Sequence, residues 1–583
     1  MAAAEDTAAA AEGAPPLHLF NSKTKKKELF VPRVNGKVGM YVCGVTPYDS
    51  SHVGHARAYV AFDVLYRYLN FLGYEVNYVR NFTDVDDKII KRAEQNGEDT
   101  SSLCTRFINE FHTHMTELQC LPPTVEPRVT EHIKDIVELI TEVFLISLLL
   151  FKIASNGYTS PAVLLFNIIK NDKGYVVDGN VYFSVSSFPE YLSLSGRKQD
   201  DNLAGSRVAV DPKKRNDKDF ALWKAAKEGE PSWESPWGDG RPGWHIECSA
   251  MSARYLGHVF DIHGGGKDLI FPHHENELAQ SRAAYPESEV KCWMHNGFIN
   301  NCGEKMSKSA NNFVTIRSIM TQYHPMALRF FLVRAHYKSD MNYSDEALEI
   351  ASDRVYYIYK TLHDCDETVS LYREENISVP VPAEEQKLVD GKLILFLIVV
   401  KKLQQKLEQQ KKKQQQKKQQ QQQIPQNKPE DHIQALAALS AEIKSKLSIL
   451  GLMPPSPLAE ELEHLKEKAL TRAGLTEESL REQIEQRVAA RNSKQFDVSD
   501  HIRKDLASKG IALMDEPTGV GDGGGMDKEG PPACYWPPRP APPGLAAGGR
   551  LDGQGPPARY KTLKSRRVAV TCATSLCFER GLS

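Results

Sequence analysis

Tyr41-Val-Cys-Gly-Val-Thr-Pro-Tyr-Asp-Ser-Ser-His-Val-Gly-His55 is the stretch that decides how this chain folds. Val38 to Val45 reads as an apolar strand, and Pro47 breaks it into a loop that ends in His52-Val53-Gly54-His55. From Ala56 the apolar positions Tyr59, Phe62, Val64, Tyr66 and Leu69 keep a roughly helical period, so the histidine pair opens a helix. A strand, a loop and a helix N-terminus together make an anion site, because unpaired backbone N–H groups and the helix dipole both favour negative charge there. Gly54 leaves room for a planar base against the backbone, which a Cβ would obstruct. Read alone, His-x-x-His fits a surface pair, or two metal ligands one helical turn apart, equally well.

Outward from this stretch, Glu75 to Arg80 is a second apolar run, so Leu17 to about Leu118 reads as the first half of a doubly wound α/β domain. Crossovers of that kind place ligands beyond the carboxyl ends of the strands, where Cys43 and Thr83 would both sit. Leu121-Pro-Pro-Thr-Val-Glu-Pro-Arg128 is a loop by its prolines, with a helix from about Thr130. Val176 to Val185 reads as a hairpin with Asp178-Gly179 at its turn. Far downstream, Lys305-Met-Ser-Lys-Ser309 lies in a loop bracketed by Gly303 and Asn311-Asn312.

The pair of runs resembles the two signatures of class I aminoacyl-tRNA synthetases. Within that class the chain looks like the cysteinyl-tRNA synthetases, of eukaryotic cytoplasmic type. Four ordered segments carry the resemblance: Tyr41 to Asp49, Asn81-Phe-Thr-Asp-Val-Asp-Asp-Lys88, Gly243-Trp-His-Ile-Glu-Cys-Ser-Ala-Met251, and Asp261-Ile-His-Gly-Gly-Gly-Lys-Asp-Leu-Ile-Phe-Pro-His-His-Glu-Asn-Glu277. It covers residues 17 to 360 and returns near 485 to 515.

The resemblance implies a Rossmann-like, parallel-sheet nucleotide-binding domain with an inserted module, followed by a C-terminal α-helical domain. On that basis the expected divisions are a tail at 1–16, the first half of the catalytic domain at 17–118 and the inserted module at 119–215. The second half, with the Lys305 loop, follows at 216–322 and opens at Phe220-Ala-Leu-Trp-Lys224. A helical tRNA-binding region then runs from 323 to 515, interrupted by a Lys/Gln tract at 401–426, and 516–583 is a second tail. Residues 142–166 depart from the pattern. Excising them would join Glu138-Leu-Ile-Thr141 to Asn167-Ile-Ile-Lys170 as one amphipathic helix, so the segment reads as an extraneous insertion. Its apolar run is too short for a bilayer, which takes about 20 residues.

A chain of 583 residues should hold several domains. A net charge of −2 argues against a uniformly basic nucleic-acid binder, so RNA contact must come from local patches. Ten cysteines scattered over this length fit a reducing compartment and leave individual thiols for metal. The N-terminal stretch has acidic residues and no arginine, unlike a transit peptide, and no apolar signal segment. The expectation from it is a cytoplasmic protein without membrane attachment.

In the matched motifs Cys43, Cys248, His273 and Glu277 have the residue types of a zinc site, one ion per chain. On a helix His273 and Glu277 would face the same way, and His274, the nearest competitor ligand, would point about 100° away from His273. The two cysteines are expected from loops in the two halves of the sheet. A thiolate on zinc separates cysteine from serine better than an apolar pocket can, because a hydroxyl would have to ionise to compete. Thr83, Trp244 and His245 match positions lining the amino-acid pocket; their ordinary alternatives are an N-cap, a core tryptophan and a structural histidine.

The implied reaction joins the carboxylate of L-cysteine to the α-phosphate of ATP, with Mg2+, and then passes cysteine to tRNA(Cys). His52 and His55 would hydrogen-bond phosphate beside Gly54, and Lys305 and Lys308 would close on the triphosphate. Gly264 and Gly265 would let adenosine approach, and Asp268 would accept from a ribose hydroxyl. One rival is a cysteine-activating ligase with a non-tRNA acceptor such as an amino sugar. Another is a catalytically impaired zinc- and nucleotide-binding relative.

Overall fold

The computed structural model describes residues 16–141, 173–198, 212–301, 303–306, 312–373, 429–509, 511–513 and 534–535. The expected insertion at 142–166, the Lys/Gln tract, residues 1–15 and nearly all of the stretch after 513 lie outside the described residues.

Four strands form the central sheet in the order Glu289–Asn296, Val259–Gly266, Lys37–Val45, Glu75–Phe82. All three pairings are parallel. Val38, Met40 and Val42 pack into one core with the Val53–Phe71 helix, while Tyr41 and Cys43 enter the other core with the Trp244–Leu256 helix. Side chains alternating to two covered faces explain why these strands read as nearly continuous apolar runs. Strand order reverses between Lys37–Val45 and Val259–Gly266. Their register runs only from Met40↔Ile262 to Val42↔Gly264, although both strands continue, to Val45 and Gly266. The crevice of a doubly wound sheet belongs at such a switch point.

Asp178 and Gly179 both have positive φ, 50° and 77°, which closes the Gly174–Val177 and Asn180–Phe183 hairpin in the twist its strands require. One assignment needs correction. Phe220–Ala225 does not open the second half of the parallel sheet: it pairs antiparallel with Asn180–Phe183 and with Gly240–Pro242. The central sheet resumes only at Val259. An apolar run reveals that a strand is buried, not which sheet it joins.

Helices follow from Ile316 to Gln322, Pro325 to Val333 and Asp345 to Arg373, then from Pro429 to Ile449 and Leu458 to Ala473. Glu477–Asn492 and Phe496–Ser508 pack beyond these on a small core of Leu470, Leu480, Leu506 and Ile511. Among the described residues no helix is long and apolar enough to cross a membrane.

Arg329 ties the helices to the sheet. Fully buried, it pairs with Asp63 on the Val53–Phe71 helix and donates to Leu118 O and Leu450 O, both at 2.7 Å. Gly451 stands at φ 64°, where a Cβ would fall 2.2 Å from the guanidinium. Removing the cation takes a fully buried partner from Asp63, itself 2 % exposed, and leaves it Arg67. Arg329→Met should therefore destabilise the chain by about 3–5 kcal/mol, read by urea unfolding. A loss under about 1 kcal/mol would show that Arg67, 2.9 Å from Asp63, suffices.

Candidate functional site

Cys43, Cys248, His273 and Glu277 converge, all buried, with one ligand atom each inside a 4.8 Å span. Cys43 Sγ lies 3.7 Å from Cys248 Sγ, 3.5 Å from His273 Nε2 and 3.5 Å from Glu277 Oε1. His273 Nε2 and Glu277 Oε1 are 3.0 Å apart. A tetrahedron with zinc–sulfur bonds of about 2.3 Å and zinc–nitrogen or –oxygen bonds of about 2.0 Å has edges of roughly 3.3 to 3.8 Å, so the donors fit that ion.

The elements that carry them differ from expectation. Cys43 lies not in a loop but at a register shift between Val42 and Val45, where a bulge re-aims the strand. Cys248 lies within the Trp244–Leu256 helix. Gly44 is obligatory beside Cys43: a Cβ there would fall 1.4 Å from Asn81 O, while Asn81 Oδ1 accepts from Gly44 N at 2.9 Å. Gly44→Ala should cost about 3 kcal/mol or more, since backbone cannot step aside as a side chain can. Unchanged thermal unfolding would contradict this.

His274, expected to point aside from His273, also reaches the cluster. The extended residue of the turn Ile270–His274 is Phe271, upstream of both histidines, and His274 stands three residues before Glu277, a spacing that shares a helix face. His274 Nε2 comes to 3.9 Å from Glu277 Oε1. Cys43, His263, His274 and Glu277 thus make an overlapping donor set, also within 4.8 Å. His263 Nε2 approaches Glu277 Oε2 at 2.8 Å, and His245 Nδ1 approaches His273 Nδ1 at 2.8 Å. These outer contacts fix the ring and carboxylate orientations that a metal needs. His274 Nδ1 lies 2.8 Å from His295 Nε2. Burial, reinforced by neighbouring histidines, pulls His274 well below the usual histidine range, and burial pulls His295 down to about 3. Burial pushes both thiols upward; Cys248 and Glu277 add to the rise at Cys43, whereas at Cys248 the hydrogen bond with Cys43 opposes it. Two buried thiols and a buried carboxylate in contact are poorly served by protons alone; a cation resolves their charge.

The expected pocket residues border this cluster. Trp244 stacks on His273 with centroids 4.3 Å apart. Thr83 Oγ1 is 3.1 Å from Glu247 Oε2, whose carboxyl burial pushes well above the usual range. Glu247, His263, Asn81 and Tyr59, whose hydroxyl donates to Cys43 O at 3.2 Å, were not singled out from sequence. The first three lie inside the quoted motifs, which was the only signal available.

At the other edge of the crevice the Val53–Phe71 helix begins in a reciprocal cap. His52 Nδ1 accepts from Gly54 N at 3.0 Å and His55 Nδ1 accepts from His52 N at 3.2 Å. With both Nδ1 atoms accepting, the neutral rings carry their protons on Nε2 and offer donors. The rings stack at 3.9 Å. A Cβ on Gly54 would meet the His52 ring at 2.8 Å, so the space that glycine leaves is shared with that ring. Gly264 and Gly265 serve packing: a Cβ at Gly264 would fall 2.3 Å from Phe62, and one at Gly265 2.9 Å from His274 and Leu269. Asp268 sits half-buried in the turn Lys267–Leu269 that ends the strand.

The Lys305 side chain and Lys308 lie outside the described residues. The chain that resumes at 312 nevertheless docks on the helix start. Val53 N donates to Val314 O at 3.0 Å and Ile316 N to Ser51 O at 2.9 Å. The segment from Val314 to Ile316 therefore meets the first signature run at one end of the sheet.

The model of the class I (C) tRNA synthetase catalytic domain matches residues 29–147 and 159–353, and its break falls within the 142–166 stretch. A chloroplastic/mitochondrial cysteine--tRNA ligase of Zea mays is 53% identical over 525 residues, 89% of this chain and 88% of the relative. A cytoplasmic cysteine--tRNA ligase of Arabidopsis thaliana is 46% identical, covering 86% of this chain and 95% of the relative. One from Trichlorobacter lovleyi is 44% identical, covering 86% and 99%. Among solved structures, a methionyl-tRNA synthetase from Mycobacterium tuberculosis superimposes with a TM-score of 0.51 at 17% identity, covering 76% of this chain and 94% of that one, which speaks to fold alone. The expectation of a cytoplasmic protein is overturned: the relatives at 52–53% identity are chloroplastic/mitochondrial, ahead of the cytoplasmic one at 46%. Acidic residues near the N-terminus were a weaker guide than these relatives. By its catalytic domain and by relatives matched over most of their length, the chain is a member of the cysteine--tRNA ligase family, with a class I synthetase fold.

Proposed function

We propose that the chain activates L-cysteine with ATP and Mg2+ and transfers it to tRNA(Cys), using zinc held by Cys43, Cys248, His273 and Glu277 to read the substrate side chain. The carrying observation is the convergence of those four buried donors beside a capped helix N-terminus. Zinc bound there would supply a soft partner for the substrate thiolate, which the hydroxyl of serine cannot match at neutral pH. Trp244 and His245 orient the His273 ring from its face and its far nitrogen. Thr83 and Glu247, hydrogen-bonded and buried, form the neighbouring wall.

Charge develops on phosphate oxygens as the cysteine carboxylate attacks the α-phosphate and pyrophosphate leaves. His52 and His55 present Nε2–H donors at the positive end of a helix, where they meet that charge without reorganising. Lys305, on the short strand Glu304–Lys305 rather than in the expected loop, and Lys308 after it in sequence would neutralise the departing pyrophosphate. Asp268 would accept from a ribose hydroxyl. No side chain is assigned as an acid or base; in the second half-reaction the adenylate phosphate can take the proton of the tRNA terminal hydroxyl.

Relatives matched over 88–99% of their own length favour tRNA over an amino-sugar acceptor. Labelled cysteine offered with tRNA(Cys) and with small amines separates the two. Acid-precipitable, RNase-sensitive label supports the synthetase reading, and label confined to amines contradicts it.

A further inference from the structure

Away from the Cys43 centre, His324, Glu461 and His464 bring one ligand-type atom each within 4.8 Å of one another. Glu461 and His464 stand three apart on the Leu458–Ala473 helix and so share a face, the Glu-x-x-His spacing that helical bundles use for metals. His324 caps the Pro325–Val333 helix, its Nδ1 accepting from Met326 N at 3.1 Å. That leaves its proton on Nε2, which lies 2.7 Å from Glu461 Oε2. The His324 side chain is 3% exposed and that of Glu461 14%.

A hydrogen-bonded cap accounts for His324 and Glu461. It does not account for His464, which is half-buried, packs edge-on to His324 with centroids 4.6 Å apart, and makes no hydrogen bond among the described residues. We propose that His324, Glu461 and His464 form a second metal site, for zinc or a similar borderline divalent ion. Two imidazoles and one carboxylate select such an ion over magnesium or calcium, which prefer oxygen alone. Three protein ligands leave a fourth position for water. Binding at Nε2 takes the other neutral tautomer of His324: the proton moves through solvent to Nδ1, and the cap bond from Met326 N is given up.

The position gives the ion a mechanical role. From the same helix, Lys468 Nζ donates to Met320 O at 2.8 Å and Arg472 Nη1 to Gln322 O at 2.8 Å. Both carbonyls close the Ile316–Gln322 helix, whose first residue is bonded to Ser51 beside the phosphate-binding helix start. The ion would pin the helical region to the catalytic domain one helix away from the Lys305 loop.

Cobalt titration of the chelator-stripped full chain tests this. Cobalt at Cys43 and Cys248 gives a thiolate charge-transfer band in the near ultraviolet, whereas cobalt at His324, Glu461 and His464 gives only visible ligand-field bands. The expected result is two equivalents in the wild type, one of them without charge transfer. His464→Ala should keep the charge-transfer equivalent and lose the other, along with much of the rise in Tm caused by added zinc. Should His464→Ala fold poorly, the near-isosteric Glu461→Gln is expected to weaken the second equivalent at least tenfold. A wild type with no second equivalent, or one that survives in both variants, overturns the proposal. Absence of the charge-transfer band would instead count against the Cys43 centre, and the His464-dependent equivalent would still be decisive here.

Discussion

Cys248→Ser is expected to abolish the thiolate-to-cobalt band, remove the zinc bound at that centre, and cut cysteine-dependent pyrophosphate exchange by more than about a hundredfold. Loss of an outer partner of a metal ligand costs roughly 10–100-fold, and loss of the ligand should exceed that. The reason lies in the packing. Cys248 and Cys43 are both buried and 3.7 Å apart, with Glu277 against Cys43, so no water can take the missing position without disturbing that contact set. The variant should remain folded, because serine is smaller and Cys248 sits on a helix with its own core contacts. Full zinc occupancy of the Cys43→Ser, Cys248→Ser double variant at that centre would refute the constellation, and metal-free but fully active protein would refute its role.

Lys308→Ala should leave cysteine binding nearly unchanged while slowing exchange by at least about a hundredfold. A charge used chiefly as pyrophosphate departs lowers the barrier without tightening the ground state. The expectation rests on the neighbourhood rather than on the lysine's own position: the chain directly after the loop is hydrogen-bonded through Val314 and Ile316 to the helix start at Val53 and Ser51. That contact puts the segment following the loop beside the helix start that carries His52 and His55. Equilibrium cysteine binding against single-turnover adenylate formation makes the comparison. Equal losses in both would assign the residue to folding.

The parallel sheet and the helix opened by His52 were legible because local patterns dictate them: apolar runs of strand length, a proline break and a helical period. The four zinc-type donors were legible only through motifs, since Cys43 and Cys248 are joined by the fold and by nothing in their spacing. His274 was legible as a competing ligand, and it reaches Glu277 at the i, i+3 spacing of a helix face. The antiparallel pairing of Phe220–Ala225 with Asn180–Phe183 and Gly240–Pro242 was not legible, because those partners are set only in three dimensions. Gly264 and Gly265 looked like ligand-facing glycines, yet the atoms they admit are those of Phe62, Leu269 and His274. His324 and the Glu461/His464 pair drew no notice, because an i, i+3 pair becomes a site only when a helix cap is brought against it.

Amino-acid selection by the Cys43 centre is what separates this enzyme's substrate from serine. The direct measurement is exchange of labelled pyrophosphate into ATP by the zinc-loaded chain, with cysteine and then serine as the amino acid. Rapid exchange with cysteine, serine lower by at least about a thousandfold, and loss of the cysteine signal on zinc chelation is the predicted result. Comparable exchange with both amino acids, or cysteine exchange indifferent to removal of the metal, would contradict it.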